Sequence, residues 1–190
     1  DLETIRSKVL LMGGLVESQF QDAISSFRTG NIAQAEQVIK ADENVNSLEV
    51  SLDDTCSHLI VKRQPAANDL RTVMATIKVI TDLERVGDEA TKIARAAKNI
   101  TERGVTTINH YETIRVMAIS AGNMLHDALD AFARLDGKQA IKLIAQDEVV
   151  DHEFRSIMRT LITFMMEDPR TISGALDTLW VAKAIERIGD

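Results

Sequence analysis

One cysteine in 190 residues leaves no internal disulfide to brace the chain, which suits a reducing compartment. That residue, Cys56, falls on an apolar stripe, where a free thiol behaves as a small buried hydrophobe. Aromatic residues make up only 4% of the chain although 45% is apolar, so the core has to be aliphatic. No apolar run approaches the roughly 18 to 20 residues that a membrane span needs, and no leader-like pattern opens the chain. A soluble, cytoplasmic protein is expected. Basic clusters are also missing. The longest Lys/Arg run is Lys62-Arg63 and the formal charge is -7, which argues against a nucleic-acid surface and favours cationic partners. There is no glycine-rich phosphate loop and no nucleophile elbow, so no catalytic residue is assigned and an enzyme is not expected.

What the chain does contain is helical spacing from end to end. Apolar residues recur at helical intervals from Leu2 to Phe27 and stop at Thr29-Gly30-Asn31, a breaker followed by a good helix start. From Ile32 a stripe through Ala35, Val38, Val45, Leu48, Leu52, Cys56 and Leu59 runs to Arg63-Gln64-Pro65, where the proline excludes the preceding residue from a helix. Asn68 is a candidate cap for a third helix from Asp69 to about Glu102, ending near Gly104. Val105-Thr106-Thr107 reads as a linker. Helices are then expected over Tyr111 to Arg134, over Lys138 to Glu167, and after Asp168-Pro169 to the end, with breaks at Leu135-Asp136-Gly137 and Asp168-Pro169.

The two sets of three helices repeat each other residue by residue. Asp22-Ala23 matches Asp127-Ala128, Phe27 matches Phe132, Gln34-Ala35 matches Gln139-Ala140 and Asp42-Glu43 matches Asp147-Glu148, all offset by 105 positions. The third helix matches the sixth at an offset of 102, the difference being absorbed between Asp42 and Glu84. The expected fold is all-α, two tandem three-helix bundles over residues 1–104 and 109–190 that arose by internal duplication. The second copy stops at Asp190, the counterpart of Asp88, so its last helix is expected to be trimmed.

One repeated segment works against its own helix. Asp82 to Lys92 contains E-R-V-G-D and Ala184 to Asp190 contains E-R-I-G-D. Like charges at i and i+4 cost about 0.2 to 0.5 kcal/mol, and a mid-helix glycine costs about 0.8 to 1.0 kcal/mol relative to Ala. On a helical wheel Leu83, Val86, Ala90, Ile93 and Ala97 form the core stripe and place Glu84 and Asp88 outward, one turn apart. A single copy reads as a solvated face with Lys92 offsetting Asp88. Recurrence of Glu, Arg, Gly and Asp together, while Lys78 and Asp82 have become Trp180 and Ala184, points to a constraint beyond packing.

Paired carboxylates are half of a site for a hard cation, which takes six or more oxygen donors. The neighbouring helix of each half offers the same spacing, Asp42-x-x-x-Asn46 and Asp147-x-x-x-Asp151. Gly87 and Gly189 fit either the approach of a cluster or close helix packing. Arg85 and Arg187 suit an acid on a neighbouring residue better than phosphate. A ferritin-like di-metal oxidase or a metal-storage bundle is the weaker alternative, because no Glu has His three residues later. His58, His110, His126 and His152 read as surface or packing residues. A plain helical scaffold is the other alternative.

The doubled E-R-[VI]-G-D segments, the D-E-x-V motif at Asp42 to Val45 and the doubled three-helix layout resemble the PhoU family of phosphate-transport regulators across essentially the whole chain. The resemblance implies surface clusters of iron, zinc or another divalent metal such as magnesium or manganese. Its pattern, an acid, three residues, then Asp, falls on Glu84 and Asp88, Glu186 and Asp190, Asp147 and Asp151, and Asp42 with Asn46, where the amide departs from it. It also implies a cytoplasmic adaptor that represses phosphate uptake when phosphate is plentiful, between the phosphate transporter's ATPase and a sensor histidine kinase. It would reach the membrane only through those partners, and a homo-oligomer such as a dimer is expected.

Overall fold

The computed structural model describes residues 2–104 and 109–190, and over these it contains helices and no strand. The expected linker residues Val105, Thr106 and Thr107 lie outside the described part. The six helices are α1 (Leu2–Thr29), α2 (Ile32–Arg63), α3 (Ala67–Arg103), α4 (His110–Arg134), α5 (Gly137–Glu167) and α6 (Ile172–Gly189), with one 3-10 turn, Pro169–Thr171, before the last.

Polar side chains set most of the starts. Asn31 accepts from the Gln34 amide at 3.0 Å after Gly30 turns the chain at φ +66°, Asn109 accepts from Glu112, and Asp136 accepts from Lys138 and Gln139. Asn68 does not cap α3. That helix begins at Ala67 behind Ala66, which has no side-chain cap, because the chain is free to turn helical once Pro65 is passed and does so before reaching the asparagine.

Helices α1, α2 and α3 pack on one another, as do α4, α5 and α6, and the two sets meet where α3 contacts α6 and α1 contacts α4. The apolar interior is continuous across that junction, from Met12, Phe20 and Ile93 to Ile114, Met117 and Ile185. Its largest enclosed side chains are Met and branched aliphatics, as the shortage of aromatics requires. Cys56 is fully buried on the α2 stripe. At the junction, Gly13 on α1 faces the Leu129 side chain on α4 so closely that a methyl group there would collide with it. Gly14, one residue on, is exposed with nothing near its missing Cβ. Gly14→Ala is therefore expected to stabilise the protein by about 0.8 to 1.0 kcal/mol, read as a rise in the urea midpoint at unchanged slope. Destabilisation would contradict the assignment of that face to solvent.

Candidate metal centre

The inner stripe of α2 carries Ala35 and Cys56 at its ends, both fully buried, with Asp42 and Glu49 between them at intervals of seven. The adjoining positions Val38, Val45 and Leu52 are buried as well. Asp42 and Glu49 are accordingly half-buried, each facing inward, whereas Asn46 lies off the stripe and is exposed.

Across from them, α3 differs from the wheel in one respect. Gly87 is buried, and a Cβ built on it would stand 3.2 Å from Gln19 Oε1, 3.3 Å from Asp42 Oδ1 and 3.3 Å from Val45 Cγ1. The glycine thus serves close packing on α1 and α2, and it brings the acid pair with it. Glu84 is half-buried and Asp88 exposed, so the pair stands at the edge of α2 rather than on a free outer face. The wheel assumed one buried side, but α3 packs against α1, α2 and α6 and has a wider covered arc. That arc takes in Glu89, only 8% exposed, which no sequence pattern singled out. Glu89 receives Lys92 at 2.7 Å and Arg187 at 3.4 Å. Lys92 thus forms its ion pair with Glu89 at i, i+3 and not with Asp88. Arg85 pairs with Asp82 at 3.5 Å.

The second half repeats the arrangement with changes. Asp147 and Asp151 on α5 and Glu186 on α6 are half-buried, and Asp190 is exposed. Gly189 lies over Val150, whose nearest atom would be 3.4 Å from an added Cβ. Glu186 is held by Lys183 at 2.6 Å, and Asp151 by Arg155 at 3.5 Å. Asp147 Oδ1 is buried without a hydrogen-bond partner.

These neighbourhoods mark the carboxyls electrically. Burial raises Glu84 above its ordinary value, and the negative charges of Asp88, Glu49 and Asp42 push the same way against Lys92. Asp147 is raised by burial first, then by Asp151, Asp190, Glu186 and Glu148. In the second half Asp147 thus has Asp151, Asp190 and Glu186 for neighbours, and in the first Glu84 has Asp88, Asp42 and Glu49; Asn46 stands apart, and Glu49 was passed over by the i, i+4 template although its seven-residue spacing from Asp42 was there to see. The histidines take no part. His58, His126 and His152 are exposed, and His110 is buried on Thr178 at the α4–α6 contact.

Two separate stretches, residues 9–97 and 114–190, match the PhoU domain model, one on each half of the duplication. The chain belongs to the PhoU family. Among its relatives, the phosphate-specific transport system accessory protein PhoU of Escherichia coli is 45% identical over 191 residues, covering all of this chain and 78% of that protein. The PhoU homolog of Pseudomonas putida is 44% identical over 190 residues, covering all of this chain and 74% of the relative. The crystal structure of PhoU from Pseudomonas aeruginosa superposes with a TM-score of 0.96 at 42% identity, over 100% of this chain and 90% of that one. The Streptococcus pneumoniae PhoU regulatory protein follows at 0.90 and 26%, over 100% and 88%. A PhoU fold of two tandem helical bundles is thereby established.

The metal clusters implied by the PhoU resemblance can be tested against the donors. The chemistry fits: each half presents oxygen ligands of one sign in excess, and the uncommitted Asp147 Oδ1 is an acceptor waiting for a cation. Among the described residues no three His, Cys, Asp or Glu side chains already surround one point, so the carboxylates would turn toward each other on loading. Without metal, a carboxyl raised above its unfolded value holds its proton more tightly in the folded state. Stability contributed by Glu84 and Asp147 is therefore lost as pH rises from about 4 through their raised values. The Glu84→Gln, Asp147→Asn double variant is expected to gain stability over the metal-free parent as pH climbs through that window, by denaturation at a series of pH values. A difference that does not vary with pH would contradict the assignment.

Proposed function

We propose that the chain is an accessory regulator of the phosphate transport system, a cytoplasmic adaptor that represses phosphate uptake and the starvation response when phosphate is plentiful. It acts by contact, joining the ATPase subunit of the phosphate ABC transporter to a phosphate-sensing histidine kinase, and it stays peripheral to the membrane. Among the described residues no helix is long and apolar enough to cross a membrane. Metal ions of the iron, zinc, magnesium or manganese class sit at Asp42, Glu84 and Asp88 with Asn46 alongside, and at Asp147, Asp151, Glu186 and Asp190. There a cation would neutralise the clustered charge and tie α2 to α3 and α5 to α6.

The observation that supports this reading is the gathering of acids in each half, around Glu84 in the first and around Asp147 in the second, of a chain that matches PhoU twice. A surface for contact also recurs with the duplication. Leu70 and Met74 on α3 correspond to Ile172 and Leu176 on α6, all four are exposed, and Trp180 extends the α6 row. Capture of the transport ATPase and of the kinase by the tagged protein, in phosphate-replete and phosphate-starved cells, tests the proposal. Recovery of one or both partners with a dependence on phosphate supply is expected, and recovery of neither in either condition would contradict it. The Lys183–Glu186 and Arg155–Asp151 pairs favour a second reading, a scaffold braced by salt bridges. A metal titration separates the two.

A further inference from the structure

The two halves share a motif, yet their sites are assembled differently. Gly87 seats against Asp42 and Val45, and Lys98 farther along α3 reaches back to Glu36 at 2.7 Å, so α2 and α3 run antiparallel. Advancing from Asp42 toward Glu49 on α2 therefore means retreating from Gly87 toward Glu84 on α3. Seven residues bring a helix to within about 20° of the same direction, whereas four residues turn it by about 40°. Glu49 thus faces α3 in line with Asp42, and Asn46 is turned aside into solvent.

The second half has the complementary residues. Glu49 corresponds to Phe154 and Asn46 to Asp151, so the carboxylate missing at one position in each half is present at the other. Lys183 stacks 5.3 Å from the Phe154 ring centre while holding Glu186. In the first half Thr81 stands where Lys183 would be, and Glu49 has no ion-pair partner among the described residues. A half-buried carboxylate with no cation, beside two others, is the less stable state of such a group.

A second observation comes from behind the site. Gln19 on α1 is 4% exposed; its Nε2 donates to Asp42 Oδ1 and to Thr91 Oγ1, each at 3.2 Å. Its Oε1 is buried without a donor and lies 3.2 Å from where a Gly87 Cβ would be, a point itself 3.3 Å from Asp42 Oδ1. The corresponding residue of the second half is Met124, and there the matching oxygen, Asp147 Oδ1, has no donor at all.

We propose that the first site is built from Asp42, Glu49, Glu84 and Asp88, with Glu49 in place of Asn46 as the fourth oxygen ligand to a divalent or trivalent cation, and Gln19 as the residue positioning Asp42. This rests on the metal-binding reading above. Each half then offers four carboxylates, and the departure from the family pattern at Asn46 costs no charge. Gln19 fixes one oxygen of Asp42 and leaves the other for the ion, the arrangement by which outer hydrogen bonds typically strengthen metal affinity about 10- to 100-fold.

The test isolates the first site with Glu186→Gln and Asp190→Asn and titrates the chelator-treated full chain with Zn2+ by calorimetry. In that background Glu49→Gln is expected to weaken Zn2+ binding at least tenfold, and Asn46→Ala to change it less than twofold. Gln19→Met, which copies the second half, is expected to weaken binding about tenfold without lowering the metal-free melting temperature, a separation that a merely packed glutamine would not give. Unchanged affinity in Glu49→Gln, or a larger loss in Asn46→Ala, overturns the assignment. So does a first site that takes up no Zn2+ while the parent does. A parent that takes up none defeats the metal-binding reading itself, and this inference with it.

Discussion

With Glu84, Asp88, Glu186 and Asp190 replaced by Gln, Asn, Gln and Asn, the protein is expected to lose its thermal response to Zn2+ and to keep its metal-free fold. An ion at 100 times its dissociation constant adds about 2.7 kcal/mol to a protein that binds it only when folded. For a chain of this length each kcal/mol moves the melting temperature by roughly 2 to 4 °C, so each loaded site should raise the parent by about 5 to 10 °C and the variant should not rise at all. None of the four side chains fills core volume, since two are exposed and two half-buried at the edge of a packed helix. Removing a like-charge pair relieves about 0.2 to 0.5 kcal/mol. The one ion pair lost among the described residues, Lys183 to Glu186, is partly solvated, and such pairs contribute about 0 to 1 kcal/mol. Arg85, Lys92 and Arg187 keep their partners at Asp82 and Glu89. A metal-free variant that melts several degrees below the parent would favour the salt-bridged scaffold instead.

The two motif glycines, identical in sequence, are expected to respond very differently to substitution. Gly87→Val adds a branched side chain where Gln19, Asp42 and Val45 already stand within 3.3 Å of the first added carbon. Overpacking of this kind costs about 1 to 3 kcal/mol, and it is relieved either by turning Gln19 and Asp42 aside or by moving α3 off α2, each of which shifts Asp42 relative to Glu84 and Asp88. A fall of several degrees in melting temperature and weaker Zn2+ binding at the first site are expected together. Gly189→Ala meets only Val150, at 3.4 to 3.6 Å, an ordinary contact, and should alter stability by no more than about 0.5 kcal/mol. Equal responses at the two positions, by thermal denaturation, would contradict the close approach at Gly87.

The difference between these glycines marks where sequence reasoning reached its limit. Helix α2 was legible to the residue, because Asn31 caps it and Pro65 follows it, and both signals are local. So was the pairing of halves, since a duplication needs no geometry to be seen. The cap assigned to Asn68 failed because two starts were available after one proline and the backbone took the earlier. Glu84 and Asp88 were placed on a free outer face because a wheel counts one buried side, and α3 is covered by three helices. Glu49 was hidden behind the expectation of i, i+4 spacing, although its place between Asp42 and Cys56 on the same stripe was visible. Gln19 and Glu89 left no signal. Their roles depend on which helix faces them, and only the packing of α1 on α2 and of α6 on α3 decides that.

The central claim is that each half of the chain carries a carboxylate site for a metal ion, and calorimetric titration of the chelator-treated parent with Zn2+ tests it most directly. The account predicts saturable uptake by both halves, with Glu84→Gln, Asp88→Asn removing one portion and Glu186→Gln, Asp190→Asn the other. A parent that shows no saturable heat, or whose binding survives both pairs of substitutions together, would contradict it.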